Sequence, residues 1–197
     1  MASSSRGISI HEVTLHAGTD EYFHPDFSDR GGDVALVPKG RKRLFRTHTF
    51  TLKSSSGFFR SKLDRPRSST SQKVQVVYLD EEEVVLEYLL RMVSGMEFPE
   101  LDSCDLVEDL LQAAVRLEMT GPVDIIRLAL TSPPLATMNP FRMYDICFRN
   151  GWDAEARLFA TQTLASNLLD GGHSQLEGRS PTGLLRLLEA RQTRREM

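Results

Sequence analysis

Three short apolar runs limit what this chain can fold into: DVALV at 33–37, LFRTHTF at 44–50 and VQVVYL at 74–79. Each is rich in β-branched or aromatic residues and bounded by polar or turn-forming residues, the pattern of a strand. Pro38 and Gly40 in PKGRK turn the first run into the second as a hairpin. Strands this short cannot bury themselves, so helices must cover the sheet they form. TLKSSSGFFRSKL supplies the first helical spacing, with Leu52, Phe58, Phe59 and Leu63 on one face. A second helix follows VQVVYL. Asp80 is placed to cap it with Glu83 three residues on, VVLEYLLRMV carries its apolar stripe, and Gly95 ends it.

From residue 101 onward the spacing is helical throughout. Ser103 is placed to cap CDLVEDLLQAAVRLEM, Gly121-Pro122 separates it from VDIIRLAL, and Pro133-Pro134 ends that segment. Asn139-Pro140 then opens a helical hairpin hinged at Gly151-Trp152. Gly171-Gly172 closes it, and Ser180-Pro181 opens a last amphipathic helix. Before the first strand, ISIHEVTL alternates apolar and polar residues like an edge strand or a flexible tail, and HPDFSDRGG reads as a loop. Residues 64–73 are a polar, low-complexity loop. The fold class expected is α+β, with a small three-stranded sheet covered by helices and then an all-helical extension. The expected boundaries are a tail or edge strand at 1–24, a sheet-containing domain at 25–130 and a helical extension at 131–197.

A chain of 197 residues with 40% hydrophobic content can bury a core without disulfides or metals. No apolar run approaches the ~20 residues a spanning helix needs, and MASSSRGISIHEV has no apolar signal core. Cys104 and Cys147 are the only cysteines, each at a position suited to a small apolar side chain. The expected compartment is therefore cytoplasmic or nuclear, with reduced thiols and no membrane partner. Net charge is −3, which gives no global case for nucleic acid. Charge is unevenly spread, however. Residues 39–67 hold ten Lys or Arg against one acid, and residues 80–109 hold eleven acids against Arg91. Such runs are read first as solvated faces, and second as a means of steering partners.

Motifs for catalysis are missing from the sequence: no G-x-S-x-G, no P-loop, no G-x-G-x-x-G and no H-E-x-x-H. The five histidines lie without cysteine partners at zinc spacing, so no metal and no cofactor is expected. Asp80 to Glu83 read as capping and solvation at a helix start, since calcium needs oxygen ligands at loop spacing. Trp152 reads as a packing anchor at a helix corner. Phe45, Phe50, Phe58 and Phe59 interleave the basic stretch, but at core spacing, so base stacking is the weaker interpretation.

One constellation resembles a known family. After DVALV come Phe45, His48, Leu52, Ser56 and Phe59 as F-x-x-H-x-x-x-L-x-x-x-S-x-x-F, then VQVVYL, then EEVVLEYLLRMVSG. In this order they resemble a BTB/POZ domain, with Asp33 heading the first strand, Thr47 at the usual alanine and Val93-Ser94-Gly95 at the usual Y-T-G. LLQAAVRLEM is similar to the family's later helix. NPFRMYDICFRNGWDAEARLFATQTL resembles the segment after the domain in a large fungal, basidiomycete-type group. The resemblance implies a non-catalytic interaction module and a structural role for His48, packed and hydrogen-bonded beneath the sheet. It implies protein partners, through homodimerisation or other self-association, or through adaptor work for a cullin-based ubiquitin ligase. In cullin-binding members a hydrophobic-x-Glu motif on the helix after the third strand meets the scaffold; Val85 and Glu87 stand there. Residues 17–32 make a poor helix, which weakens the expectation of a swapped dimer. A nucleic-acid-associated regulator is the remaining alternative, resting on 39–67.

Overall fold

The computed structural model describes residues 10–13, 22–40, 42–63, 74–97, 99–132, 135, 139–164, 183 and 185–186. The chain is α+β. Five strands form one sheet: β1 (Ile10–Val13), β2 (Phe23–Ser28), β3 (Val34–Val37), β4 (Leu44–Thr47) and β5 (Val74–Tyr78), in the order β1-β5-β3-β4-β2. The three strands read from sequence are its centre. β3 and β4 form the expected antiparallel hairpin, and β5 lies parallel to β3 with Ala35 opposite Val76. Two edge strands flank these three: β1 is the edge-strand alternative read for ISIHEVTL, and β2 is not expected from the sequence. β1 pairs antiparallel with β5, and β2 runs parallel to β4 through HPDFS, which reads as a loop in the sequence. Pro25 explains the difference. Proline is a turn signal in a pattern search, yet an edge strand tolerates it because one row of its donors faces away from the ladder.

Helices α1 (Thr49–Ser55) and α2 (Gly57–Lys62) follow β4; α3 (Glu83–Ser94) follows β5. The single helix expected over 51–63 is thus two, broken at the extended residue Ser56. α3 begins after Glu82, not Asp80, and neither the expected capping box nor any side-chain cap forms there. Its end is as the sequence implies: Gly95 takes φ 65°, and its N–H is bonded to the last turn. α4 (Cys104–Arg116) begins where Ser103 accepts the Leu106 N–H. α5 (Thr120–Leu130) contains Gly121-Pro122, so the expected divider lies inside the first turn of the helix, where proline lacks no bond it could have made. The division falls instead at Leu117–Met119, where Glu118 takes φ 51°. α6 (Pro140–Arg149) is capped by Asn139, whose Oδ1 accepts the Arg142 N–H, and α7 (Asp153–Leu164) follows the corner at Gly151, φ 71°. Gly171-Gly172 and Ser180-Pro181 lie outside the described residues.

The chain forms two compact units. The first holds residues 1–99 and 109–125, and the second holds 100–108 and 126–197. In the first, Phe23, Ala35, Val37, Val74 and Val76 pack as one cluster on the sheet. Side chains alternate across a strand, so Val34, Leu36, Phe45 and Val77 face the opposite way, and they too are buried. In the second unit Phe141, Met143, Ile146, Cys147, Trp152, Ala156 and Phe159 are buried on the α6 and α7 hairpin. No described helix is long and apolar enough to cross a membrane.

Candidate interaction site

The junction from β4 to α2 shows why the spaced residues recur as they do. An α-helix leaves its first N–H groups without internal partners. At α1 the adjacent His48 supplies no side-chain cap, and Asp33 serves from across the sheet, its Oδ1 accepting the Thr49 N–H at 2.6 Å. The same residue is tied through its backbone to Thr47 and Gln75. Phe45, Leu52 and Phe59 are fully buried. Ser56, also fully buried, donates its hydroxyl to the Leu117 carbonyl at 2.5 Å and accepts the Phe59 N–H at 3.1 Å. It thereby caps α2 and joins it to the end of α4. Beside it Gly57 donates to the Glu118 carbonyl, and a Cβ there would collide with the Glu118 side chain.

His48 departs from its expected place beneath the sheet. Its side chain is 47% exposed, and Nε2 lies 3.0 Å from Asp29 Oδ2. Asp33 already supplies the cap, so the imidazole turns outward at the point where the chain leaves the sheet. Asp29 is held below the usual carboxylate range, first by the Gly31 N–H and then by His48. Arg46 closes the same turn by donating to the carbonyls of Gly32 and Arg30. Gly32 is needed there because a Cβ would meet the Thr47 carbonyl oxygen at 2.9 Å.

Of the two histidines whose burial is described, the buried one is His24, which the sequence does not single out. Its ring stacks on Phe45 with centroids 5.2 Å apart. Nδ1 accepts the Asp26 N–H at 3.4 Å, and Nε2 faces Glu87 Oε2 at 3.5 Å. Glu87 also accepts from Arg91 at 2.9 Å, and Arg91 reaches on to Asp26. The guanidinium is held above its ordinary pKa, first by Glu87 and then also by Asp26. His24, Asp26 and Glu87 bring ligand atoms within 4.8 Å of one another. They do not suit a metal, for two reasons. Arg91 is already the cation between the carboxylates. The Asp26 N–H occupies Nδ1, which leaves the ring proton on Nε2 and removes the lone pair that would bind an ion. The four residues fasten the edge strand β2 to α3.

Val85 and Glu87 therefore have defined surroundings. Val85 is 6% exposed, its side chain inside the core, and Glu87 is shared by Arg91 and His24. The apolar side chain that α3 leaves in water is Val84, 52% exposed. The opposed charge runs partly meet each other: Lys39 pairs with Glu82 at 2.8 Å, and Arg43 lies 3.9 Å from Glu83. Glu81, expected to be solvated, is 4% exposed and accepts Arg116 at 2.7 and 3.0 Å. Among the described residues of this unit, the phenylalanine left in water is Phe50 at the start of α1, 82% exposed.

In the second unit Arg142 reaches Asp105 and Glu108, and Arg149 reaches Glu108 and Asp145, both at 3.0 Å. Arg127 is bidentate on Glu155 and lies 5.5 Å from the Trp152 ring centroid, so the tryptophan packs under a cation as well as anchoring the corner. Cys104 and Cys147 are buried and not joined in a disulfide; burial pushes the Cys147 thiol up to about 12, which makes it unreactive at neutral pH.

Compared with known proteins, the chain matches the family model for the BTB/POZ domain over residues 27–132. No curated protein matches it.

Proposed function

The chain belongs to the BTB/POZ domain family, and from that premise we propose that it is an interaction module that associates with a second copy of itself through the first unit. BTB/POZ domains are generally non-catalytic and act by binding proteins, including copies of themselves. The match over 27–132 carries the reading. Phe50 supports it, because a phenylalanine 82% exposed gains most from being covered by a partner. The test is light scattering over a dilution series. Wild type should show a mass above 22.2 kDa that falls on dilution, and Phe50→Asp should stay at the monomer mass with an unchanged far-UV spectrum. A constant monomer mass for wild type would remove the proposal.

The cullin-adaptor reading rests on Val85 and Glu87. The burial of one and the ion pairs of the other disfavour a free contact there, because a scaffold would have to compete with Arg91 for the carboxylate. Pull-down with a cullin scaffold tests it, with Glu87→Ala and Val85→Asp as the weakened variants. The nucleic-acid reading has less support than its ten bases suggest, since Lys39 is paired with an acid and Arg46 is turned onto backbone carbonyls. A flat salt response of DNA binding would end it. A cytoplasmic or nuclear location and the fungal grouping of the tail remain part of the proposal.

A further inference from the structure

α1 and α2 carry one sign of charge. Residues 49–62 hold Lys53, Arg60 and Lys62 and no acid. Phe50 projects into water from α1, and Lys53 and Ser54 lie one turn along on the same side. Arg60 joins them from α2, because its Nε donates to the Lys53 carbonyl at 3.1 Å. Of the acids close by, Asp29 already accepts from Gly31 and faces His48, and Glu118 lies over Gly57. The exposed ring therefore stands in a basic surround.

That sign restricts how a second copy can cover Phe50. A two-fold contact centred on the ring sets the same patch of both copies together, here base against base. Like charges brought face to face oppose association. The counter-surface has to be another part of the second copy, with an exposed apolar side chain and carboxylates beside it. On the described helices of the first unit the exposed large apolar side chains are Phe50, Val84 and Val115. Of these only Val84 follows a run of acids, Asp80 to Glu83. Glu81 in that run is buried on Arg116, while Asp80 and Glu82 are exposed. Glu82 is paired with Lys39, but the two side chains are 61% and 65% exposed. A pair so open to water contributes little and exchanges readily for another cation.

Resting on the self-association assigned to the first unit, we propose that the contact runs head to tail. The Phe50, Lys53 and Arg60 face of one copy docks on the start of α3 in the next, with Phe50 against Val84 and the bases against Asp80 and Glu82. One face of each kind is left over in a pair, so the contact adds further copies until the rotation closes a ring.

The test is a charge exchange, read by light scattering on full-length chains at about 0.1 M ionic strength. One variant carries Lys53→Glu and Arg60→Glu, and the other carries Asp80→Lys and Glu82→Lys. None of the four side chains is buried, so both variants should keep the far-UV spectrum of wild type. Each alone should associate at least about tenfold more weakly than wild type, since like charges then meet. An equimolar mixture should recover most of the affinity, because the reversed face of one variant meets the reversed α3 start of the other. For wild type, raising the ionic strength to about 1 M shortens the screening length from about 10 Å to about 3 Å and should weaken association about tenfold. This arm decides alone should either variant lose its spectrum. Variants that associate like wild type, a mixture no better than its components, or association indifferent to salt would each overturn the head-to-tail contact and leave self-association standing. A wild type that stays monomeric throughout would remove self-association and this contact with it.

Discussion

In the sheet unit the side chains that hold the elements together are aromatic and aliphatic, with Phe45, Leu36, Leu52, Phe59, Leu86 and Leu89 fully buried. Polar groups enter as the single anchors Asp33 on α1 and Ser56 between α2 and α4, as one cluster of His24, Asp26, Glu87 and Arg91 between β2 and α3, and as the Glu81–Arg116 pair. Around α6 and α7 an apolar seam is flanked by linked charges: Arg142, Arg149 and Arg127 on Asp105, Glu108, Asp145 and Glu155. The two regions should therefore answer differently to solution conditions. Apolar burial is largely indifferent to moderate salt, whereas ion pairs open to water are screened within about 8–10 Å at physiological ionic strength. Neither charge pairing nor a single hydrogen bond approaches the free energy of a buried phenylalanine, so the ranking of mutational effects follows the apolar core in both units.

The largest effect tests that ranking. Phe45→Ala should cost about 3–5 kcal/mol, because it removes a fully buried ring on which His24 stacks. Urea unfolding followed by tryptophan-independent far-UV signal measures it. Phe159→Ala, equally buried in the second unit, should cost a similar amount. A loss under ~1 kcal/mol at Phe159 would break the comparison, since charge would then outweigh the seam there.

Ser56→Ala should rank next, at roughly 2 kcal/mol. It deletes the cap of α2 and leaves the Leu117 carbonyl without its hydroxyl donor in a dry place. A loss below ~0.5 kcal/mol would mean that water replaces the hydroxyl and that the joint between α2 and α4 is looser than its geometry. Arg116→Ala comes third, at about 1–2 kcal/mol. It strands the buried Glu81 carboxylate, but the exposed part of the arginine is already screened, which reduces the loss. The double variant Arg116→Ala with Glu81→Met should recover much of it, as apolar replacement of a buried pair often does. Failure to recover would show that Glu81 is needed for more than charge balance.

How far these contacts are legible in sequence differs by the kind of signal each leaves. β3, β4 and β5 carry runs of apolar residues, and the spacing from Phe45 to Phe59 marks Phe45, Leu52, Ser56 and Phe59 as inward, though not His48, which turns out. Gly95 and Asn139 announce helix ends because only a few residue types suit those backbone positions. β2 is hidden by Pro25, which looks the same in a turn and on a sheet edge. His24 and His48 cannot be ranked from spacing alone: burial depends on which ring meets Phe45, and that is decided by β2 pairing with β4 across some twenty residues. Glu81 shows the same limit. Within a run of four acids, only the arrival of Arg116 from α4, 35 positions away, selects one for the interior.

The smallest effect separates the regions by pH. Glu155 is held below its usual value near 4.5, first by the hydrogen bonds from Arg127 and against the opposing effect of burial. A carboxylate depressed in the folded chain contributes stability that is present above its unfolded pKa and is lost as pH falls through the folded one. The contribution of this pair should thus be constant from neutral pH to about pH 5 and fade below the ordinary carboxylate range. Arg127 is 40% exposed, so screening limits the pair to about 0.5 kcal/mol. Glu155→Gln should remove that much at pH 7, and the variant and wild type should converge at pH 3. Thermal unfolding of both across pH 3–7 measures it. A gap that persists at pH 3 would assign the loss to packing beside Trp152 instead of charge, and the second unit would then resemble the first.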